Sequence, residues 1–146
     1  MERNFKILLF FLSTLIIINF NSFSQCKSFA KKICKLELIP YIHDGNYHAA
    51  ILTEGEEAEL YKTFYAGQNY RVAVCGSEDL GPIEFQVIDS HKNILYTNKN
   101  DKNRIWDFKL ESSQQLKIVV KVPVTSNPSA ETPKSGCVAI MFGFKE

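Results

Sequence analysis

From Phe64 to Cys75 the sequence runs F-Y-A-G-Q-N-Y-R-V-A-V-C, and few folds accommodate it. Tyr70, Val72 and Val74 alternate with Arg71, Ala73 and Cys75, the two-residue period of a strand with one face in a core. Gly67 lies in the short turn Ala66 to Asn69, where it can take the positive φ such a turn needs. Two strands joined by a tight turn are therefore expected here, and the same grammar recurs to the C-terminus.

Upstream, Ala49 to Thr53 and Glu57 to Tyr65 read as strands separated by the Glu54-Gly55-Glu56 turn. In the second, Ala58, Leu60 and Phe64 share a face that is apolar except for Lys62, while Tyr61 and Tyr65 stand on the other. Downstream, Ile83, Phe85 and Val87 alternate with Glu84 and Gln86, and Ile94 to Thr97 follows after the turn Asp89 to Asn93. The polar segment Asn98 to Asn103 reads as an exposed loop. Trp106, Phe108 and Leu110 then share one face, which makes Trp106 a core anchor rather than a sugar-stacking residue. Leu116, Ile118, Val120 and Val122 give the cleanest alternation in the chain. After the breaker-rich loop Thr125 to Gly136, the last strand, Cys137 to Phe144, is apolar on both faces, as suits a central or covered strand. About eight short strands and one helix predict a mainly β fold, an antiparallel β-sandwich or jelly roll.

The N-terminus has a different character. Arg3 and Lys6 precede the apolar run Ile7 to Ile18, and Ser22 and Ser24 occupy the small-residue positions before a cut between Ser24 and Gln25. Residues 1–24 are thus expected to be a secretory signal peptide, and 25–146 a single β-sandwich domain, secreted or periplasmic. The apolar run falls short of the roughly 20 residues that span a bilayer, so no transmembrane anchor is expected. The chain has 17 basic and 16 acidic residues, and removing Arg3, Lys6 and Glu2 with the signal peptide leaves 15 of each. A nucleic-acid binder normally carries a basic surplus, and that class is set aside.

Four cysteines, Cys26, Cys34, Cys75 and Cys137, in an exported chain read as two disulfides. If Cys26 to Cys34 is one continuous helix, the two ends lie about 12 Å apart, beyond the roughly 7 Å reach of a bridge, and each would have to reach Cys75 or Cys137. Against this, Cys75 ends one strand and Cys137 begins another, where antiparallel neighbours would set them face to face. The preferred pairing is Cys75 with Cys137, which leaves Cys26 with Cys34 only if the helix starts late or bends. Without any C-x-x-C pair, zinc is disfavoured.

Cys26 to Leu38 carries Phe29, Ala30, Ile33 and Cys34 at helical spacing with Lys27, Lys31, Lys32 and Lys35 opposite, a short amphipathic helix. It is read as a cap on the β core rather than as a membrane-surface helix. Pro40 ends it. His43, Asp44 and His48 have the residue types of a metal site, but their spacing matches no helical ligand motif, and a turn at Asp44-Gly45 flanked by surface histidines is expected instead. No cofactor is expected.

Three stretches carry a family resemblance: Tyr65-Ala66-Gly67-Gln68 with Tyr70 and Val72, then Phe85, Val87 and Asp89, then Leu116 to Val122. Together they resemble the jelly-roll domains of the pre-peptidase C-terminal type found on secreted bacterial peptidases. That resemblance implies a non-catalytic accessory role in binding a protein or glycan.

Catalysis finds little support in the residues themselves. Asp89, Ser90 and His91 are adjacent, and neighbours on a strand end point to different sides, so they do not form a relay. No G-x-S-x-G, H-E-x-x-H or G-x-x-x-x-G-K motif occurs. The expected function is an exported binding or accessory module for an unknown protein or glycan ligand, with Tyr61, Tyr65, Tyr41 and Tyr47 as the candidate platform. The alternative is an assembly part that self-associates through a sheet edge.

Overall fold

A computed structural model describes residues 22–125 and 132–146. All but the last three positions of the expected signal peptide lie outside the described residues, as does the middle of the loop between Thr125 and Gly136. Among the described residues one helix, α1 (Ser22–Lys32), runs into a 3-10 turn (Cys34–Leu38). The strands follow: β1 (Ile42–His43), β2 (His48–Thr53), β3 (Glu57–Phe64), β4 (Asn69–Gly76), β5 (Glu84–Ile88), β6 (Ile94–Thr97), β7 (Ile105–Lys109), β8 (Gln114–Lys121) and β9 (Ser135–Lys145).

They form two antiparallel sheets. In the first, β9 is flanked by β4 on one side and by both β1 and β2 on the other, with β7 beyond β4. The second runs β3-β8-β5-β6. Apart from β1–β2 and β5–β6, which stay in one sheet, strands that follow one another in sequence switch between sheets, in the order of two interlocked Greek keys, so the sandwich is a jelly roll. Gly67 takes φ +81° in the turn between β3 and β4.

Alternation decides the layers. Tyr70, Val72 and Val74 of β4 point between the sheets and meet Phe64, Phe85, Val87, Leu116, Ile118, Val120 and Phe142 in the principal core. The opposite face of the first sheet, Ala73 and Cys75 of β4 with Ala139 and Met141 of β9, is covered by Ala30, Cys34 and Leu38. That second layer is why β9 is apolar on both faces: it is central, and the helix covers its back.

The disulfides differ from the expected pairing. Cys26 is bonded to Cys137 and Cys34 to Cys75, with Cα separations of 5.2 and 5.7 Å. Register explains it. Ala139, not Cys137, lies opposite Cys75, and Cys137 sits two residues further along, a diagonal of roughly 7–8 Å at the edge of bridging distance. The helix, for its part, ends at Lys32, and the following turn directs Cys34 down onto the sheet, fully buried with Cys26. Both helix cysteines are thus stapled to the sandwich.

Asn98 departs from the expected exposed loop. It is completely buried: its Oδ1 accepts from Phe85 N at 2.7 Å, and its Nδ2 donates to Ile83 O and Asn103 O at 2.9 and 2.8 Å. One amide side chain here satisfies backbone groups that no neighbouring strand reaches. Close by, Tyr96, Trp106 and Phe108 stack in series at 5.3 and 4.2 Å between ring centres. Trp106 packs against the core but is only partly buried, because β7 is an edge strand. The stack closes one lateral side of the sandwich, and the other side is built differently.

Candidate functional site

The remaining lateral side lies between β1 and β2 of the first sheet and β3 of the second, all edge strands. Two features of the sequence keep it from closing. One is a break in the first edge: His43 pairs with Gly143 and His48 with Ile140, so residues 44–47 stand opposite only Met141 and Phe142. The surplus residues bulge outward. Asp44 Oδ1 accepts from Asn46 N at 2.9 Å, and Gly45 sits at φ +92°, a turn that an Asp-Gly pair suits. The other is Lys62, the single charge in the inward row of β3.

The bulge brings Asp44 to Lys62. Their Oδ2 and Nζ atoms lie 2.7 Å apart, and the ammonium stands 4.9 Å from the centre of the Phe142 ring and 5.9 Å from that of Phe64. The pair latches the two sheets across the open side. An inward charge on an edge strand also discourages pairing with another chain's strand. Burial opposes ionisation of Asp44, but the Lys62 ammonium and the Asn46 N–H outweigh it and hold the carboxyl below its usual range.

The two histidines are half-buried rather than at the surface, because both end strands that pair with β9. The His43 Nε2 lies 2.9 Å from Asn46 O, and its ring lies 4.6 Å from that of Tyr47. His48 meets Phe142 edge-on at 5.6 Å. Burial lowers the His48 pKa, with Asp44 opposing and the neighbouring Lys62 and His43 adding to the lowering. Among the described residues no three histidine, cysteine or acidic side chains converge as a metal site.

Beside the latch is a groove of about 310 Å³. Leu52, Ala58, Leu60, Val120, Val138 and Ile140 supply an apolar floor, and Tyr47 and His48 stand at its rim. Beyond Lys62 a hollow of about 160 Å³ continues the open side, bordered by Tyr65, Gln68, Tyr70 and Phe144. The structure divides the four candidate tyrosines accordingly. Tyr61, on the outward row of β3, and Tyr65, just past its end, are 56% and 65% exposed next to the open side. Tyr47 borders the groove, but it is half-buried against the layer under the helix. Tyr41 is elsewhere, on the helix-covered face of the first sheet, with the Arg71 guanidinium 4.6 Å from its ring centre. Four tyrosines do not make one platform, because β1 and β3 present their outward rows on opposite faces of the sandwich.

Ser90 Oγ and His91 Nδ1 lie 3.5 Å apart, but the Asp89 carboxylate is turned to backbone N–H groups and to Asn93. Asp89 Oδ1 accepts from the backbone N–H groups of His91 and Asn93, both at 2.8 Å, and so builds the turn.

The histidine sets a pH dependence. A folded-state pKa below the ordinary 6.5 means that the folded chain holds this proton more weakly than the unfolded one. Stability is therefore full above about pH 6.5 and falls as the pH drops from there toward the folded value. Asp44 acts in the same direction lower down: its contribution is present above the unfolded value of 3.8 and is lost as the pH falls through the folded one. Melting temperature is expected to fall between pH 7 and 5, with the slope flattened in His48→Phe. An equal slope in that variant would assign the effect to another group.

No protein-family profile matches the chain, and no curated protein matches it in sequence. Among solved structures, it resembles Aeromonas hydrophila PliG, a periplasmic lysozyme inhibitor of g-type lysozyme, at a TM-score of 0.50 and 16% identity over 73% of this chain and 89% of that one. The PliG of Salmonella Typhimurium, described in the same words, matches at a TM-score of 0.43 and 13% identity over 68% and 86%. At such identities the likeness is one of fold. Two disulfides belong with an oxidising compartment, and the protein is secreted or periplasmic.

Proposed function

We propose that this chain is an exported, non-catalytic binding protein that takes a protein partner on the open side of its sandwich. The observation that carries this reading is the groove between β2 and β3, with its apolar floor and tyrosines at its margins. Interfaces of this kind draw on aromatic anchors beside a desolvated centre. The ionisable groups at the site suit structure better than acid-base chemistry: Asp44 is committed to Lys62, and His43 to Asn46.

A cell-wall hydrolase of the g-type lysozyme class is the partner this reading names, supported by the shared fold and by the groove as a seat for a protein surface. The accessory role implied by the resemblance to pre-peptidase C-terminal domains fits the same site with a different partner. Export with removal of residues 1–24 belongs to the proposal.

Calorimetric titration of the exported protein with g-type lysozyme, alongside assays of cell-wall lysis, tests it. Binding and slowed lysis are expected. The double variant Tyr61→Ala/Tyr65→Ala should weaken binding at least about tenfold, equivalent to roughly 1.4 kcal/mol, with little change in melting temperature because both side chains are exposed. Absence of binding would dismiss the lysozyme partner, and full binding by the double variant would place the contact elsewhere. Light scattering after size exclusion should find a monomer; a dimer would favour association through a sheet edge instead.

A further inference from the structure

We infer that α1 and the 3-10 turn after it form, with their outer side, a surface that rests on anionic phospholipid, the role the sequence alone disfavours. Their other side caps the β core, as the sequence leads one to expect. The inference is independent of the groove.

The 3-10 turn and the residues that flank it expose three large aliphatic side chains. Ile33, Leu36 and Ile39 are 52%, 62% and 68% exposed. Their spacing of three matches the period of this helix type, in which residues three apart stand in line, and the turn is closed by the bonds Leu36 N to Ile33 O and Ile39 N to Leu36 O, at 3.2 and 3.3 Å. The same turn directs Cys34 and Leu38 into the layer over the sheet. It therefore has a buried side and an apolar outer side.

The same segment is rich in positive charge. Lys27, Lys31, Lys32 and Lys35 are all exposed. Glu37 is the one acidic residue between Gln25 and Ile42, and its Oε1 lies 3.3 Å from the exposed Arg104 guanidinium. A chain that is neutral over residues 25–146 thus gathers a surplus of cations at one place.

The ridge is also held rigidly. Cys26–Cys137 and Cys34–Cys75 pin both parts of the segment to the sheet. Arg71 donates to Glu37 O and Ile39 O at 3.1 and 2.8 Å while it is paired with Asp107 at 2.7 Å. A preformed ridge spends no ordering entropy when it binds.

An anionic lipid surface fits better than an acidic protein. Protein interface cores are depleted in lysine and anchored by tryptophan, tyrosine and arginine, whereas this ridge carries aliphatic side chains in a field of lysines. Interfacial segments of membrane-resting proteins have that make-up: the apolar side enters the boundary between headgroups and acyl chains, and the lysines meet the lipid anions.

The test is co-sedimentation of the exported protein with vesicles of phosphatidylglycerol mixed with phosphatidylcholine, and with vesicles of phosphatidylcholine alone. Association with the anionic vesicles only is expected, falling about tenfold in roughly 0.5 M salt. The triple variant Ile33→Ser/Leu36→Ser/Ile39→Ser should lose association at least tenfold at an unchanged melting temperature. Lys27→Gln/Lys31→Gln/Lys32→Gln/Lys35→Gln, which leaves the ridge intact, should lose it as well. No association with anionic vesicles overturns the inference, and so does equal association by wild type and both variants. Capture of an acidic protein by the wild type, with vesicles unbound, overturns it in favour of a protein partner.

Discussion

Replacing Cys34 and Cys75 together by alanine is expected to lower the unfolding free energy by about 4 kcal/mol in the chain-entropy treatment, since the bridge closes a sequence separation of 41. Net stabilities of domains are only about 5–15 kcal/mol, so the variant should be near the limit of folding at ambient temperature. The longer closure of Cys26–Cys137, a separation of 111, is worth about 5 kcal/mol by the same treatment when considered alone. The shorter bridge has a second consequence. Cys34 and Cys75 are 0% and 1% exposed within the layer between helix and sheet, so its loss also removes packed sulfur from that layer. Alanine is preferred to serine because a buried hydroxyl would add a cost of its own. Urea denaturation measures the loss, and non-reducing peptide mapping checks the connectivity on which it rests. Recovery of a Cys75–Cys137 peptide would overturn both.

The second large effect is expected at Asn98. Asn98→Ala deprives the Phe85 N–H of its acceptor and removes the amide donor from Ile83 O, both buried bonds of a completely buried side chain, and from the part-buried Asn103 O. Each buried polar group left unpaired costs about 1–3 kcal/mol, which puts the total at about 3 kcal/mol or more. Asn98→Asp is the sharper variant. It keeps the acceptor for Phe85 but sets a carboxylate against two carbonyl oxygens, so it should be less stable at neutral pH than in mild acid, where the carboxyl can donate. An Asn98→Ala midpoint within error of wild type would show that these backbone groups find other partners.

Asn98 also shows where reading the sequence stops. In N-K-N-D-K-N every residue is polar, and composition alone describes a solvated loop. The buried one is distinguished only by the backbone groups it finds, Ile83 O and Phe85 N at the start of β5 and Asn103 O at the far end of its own segment. Glu54 is a parallel case: within a turn signal between two strands, its carboxylate accepts from Thr125 N at 3.0 Å and Lys134 N at 3.1 Å. Lys62 left a visible trace, a charge in an otherwise apolar row, but its partner could not be read because Asp44 lies across the sandwich on the other sheet.

The fold class was legible in local patterning. Period-two alternation in Tyr70 to Cys75 and Leu116 to Val122 specifies one buried face per strand, which is a local property of the backbone and needs no knowledge of neighbours. Likewise, the apolar character of Val138 to Phe142 on both faces identified a strand with cover on each side. Whatever depends on register emerges only in the folded chain. A shift along β9 by two residues separates the observed disulfides from the expected one, and the insertion between His43 and His48 relative to β9 opens the groove and aims Asp44 at Lys62. It also assigned Tyr41 and Tyr65, alike in sequence, to different faces. A slip of two residues keeps every side chain on its own face, so the local alternation that marks a strand does not reveal its register.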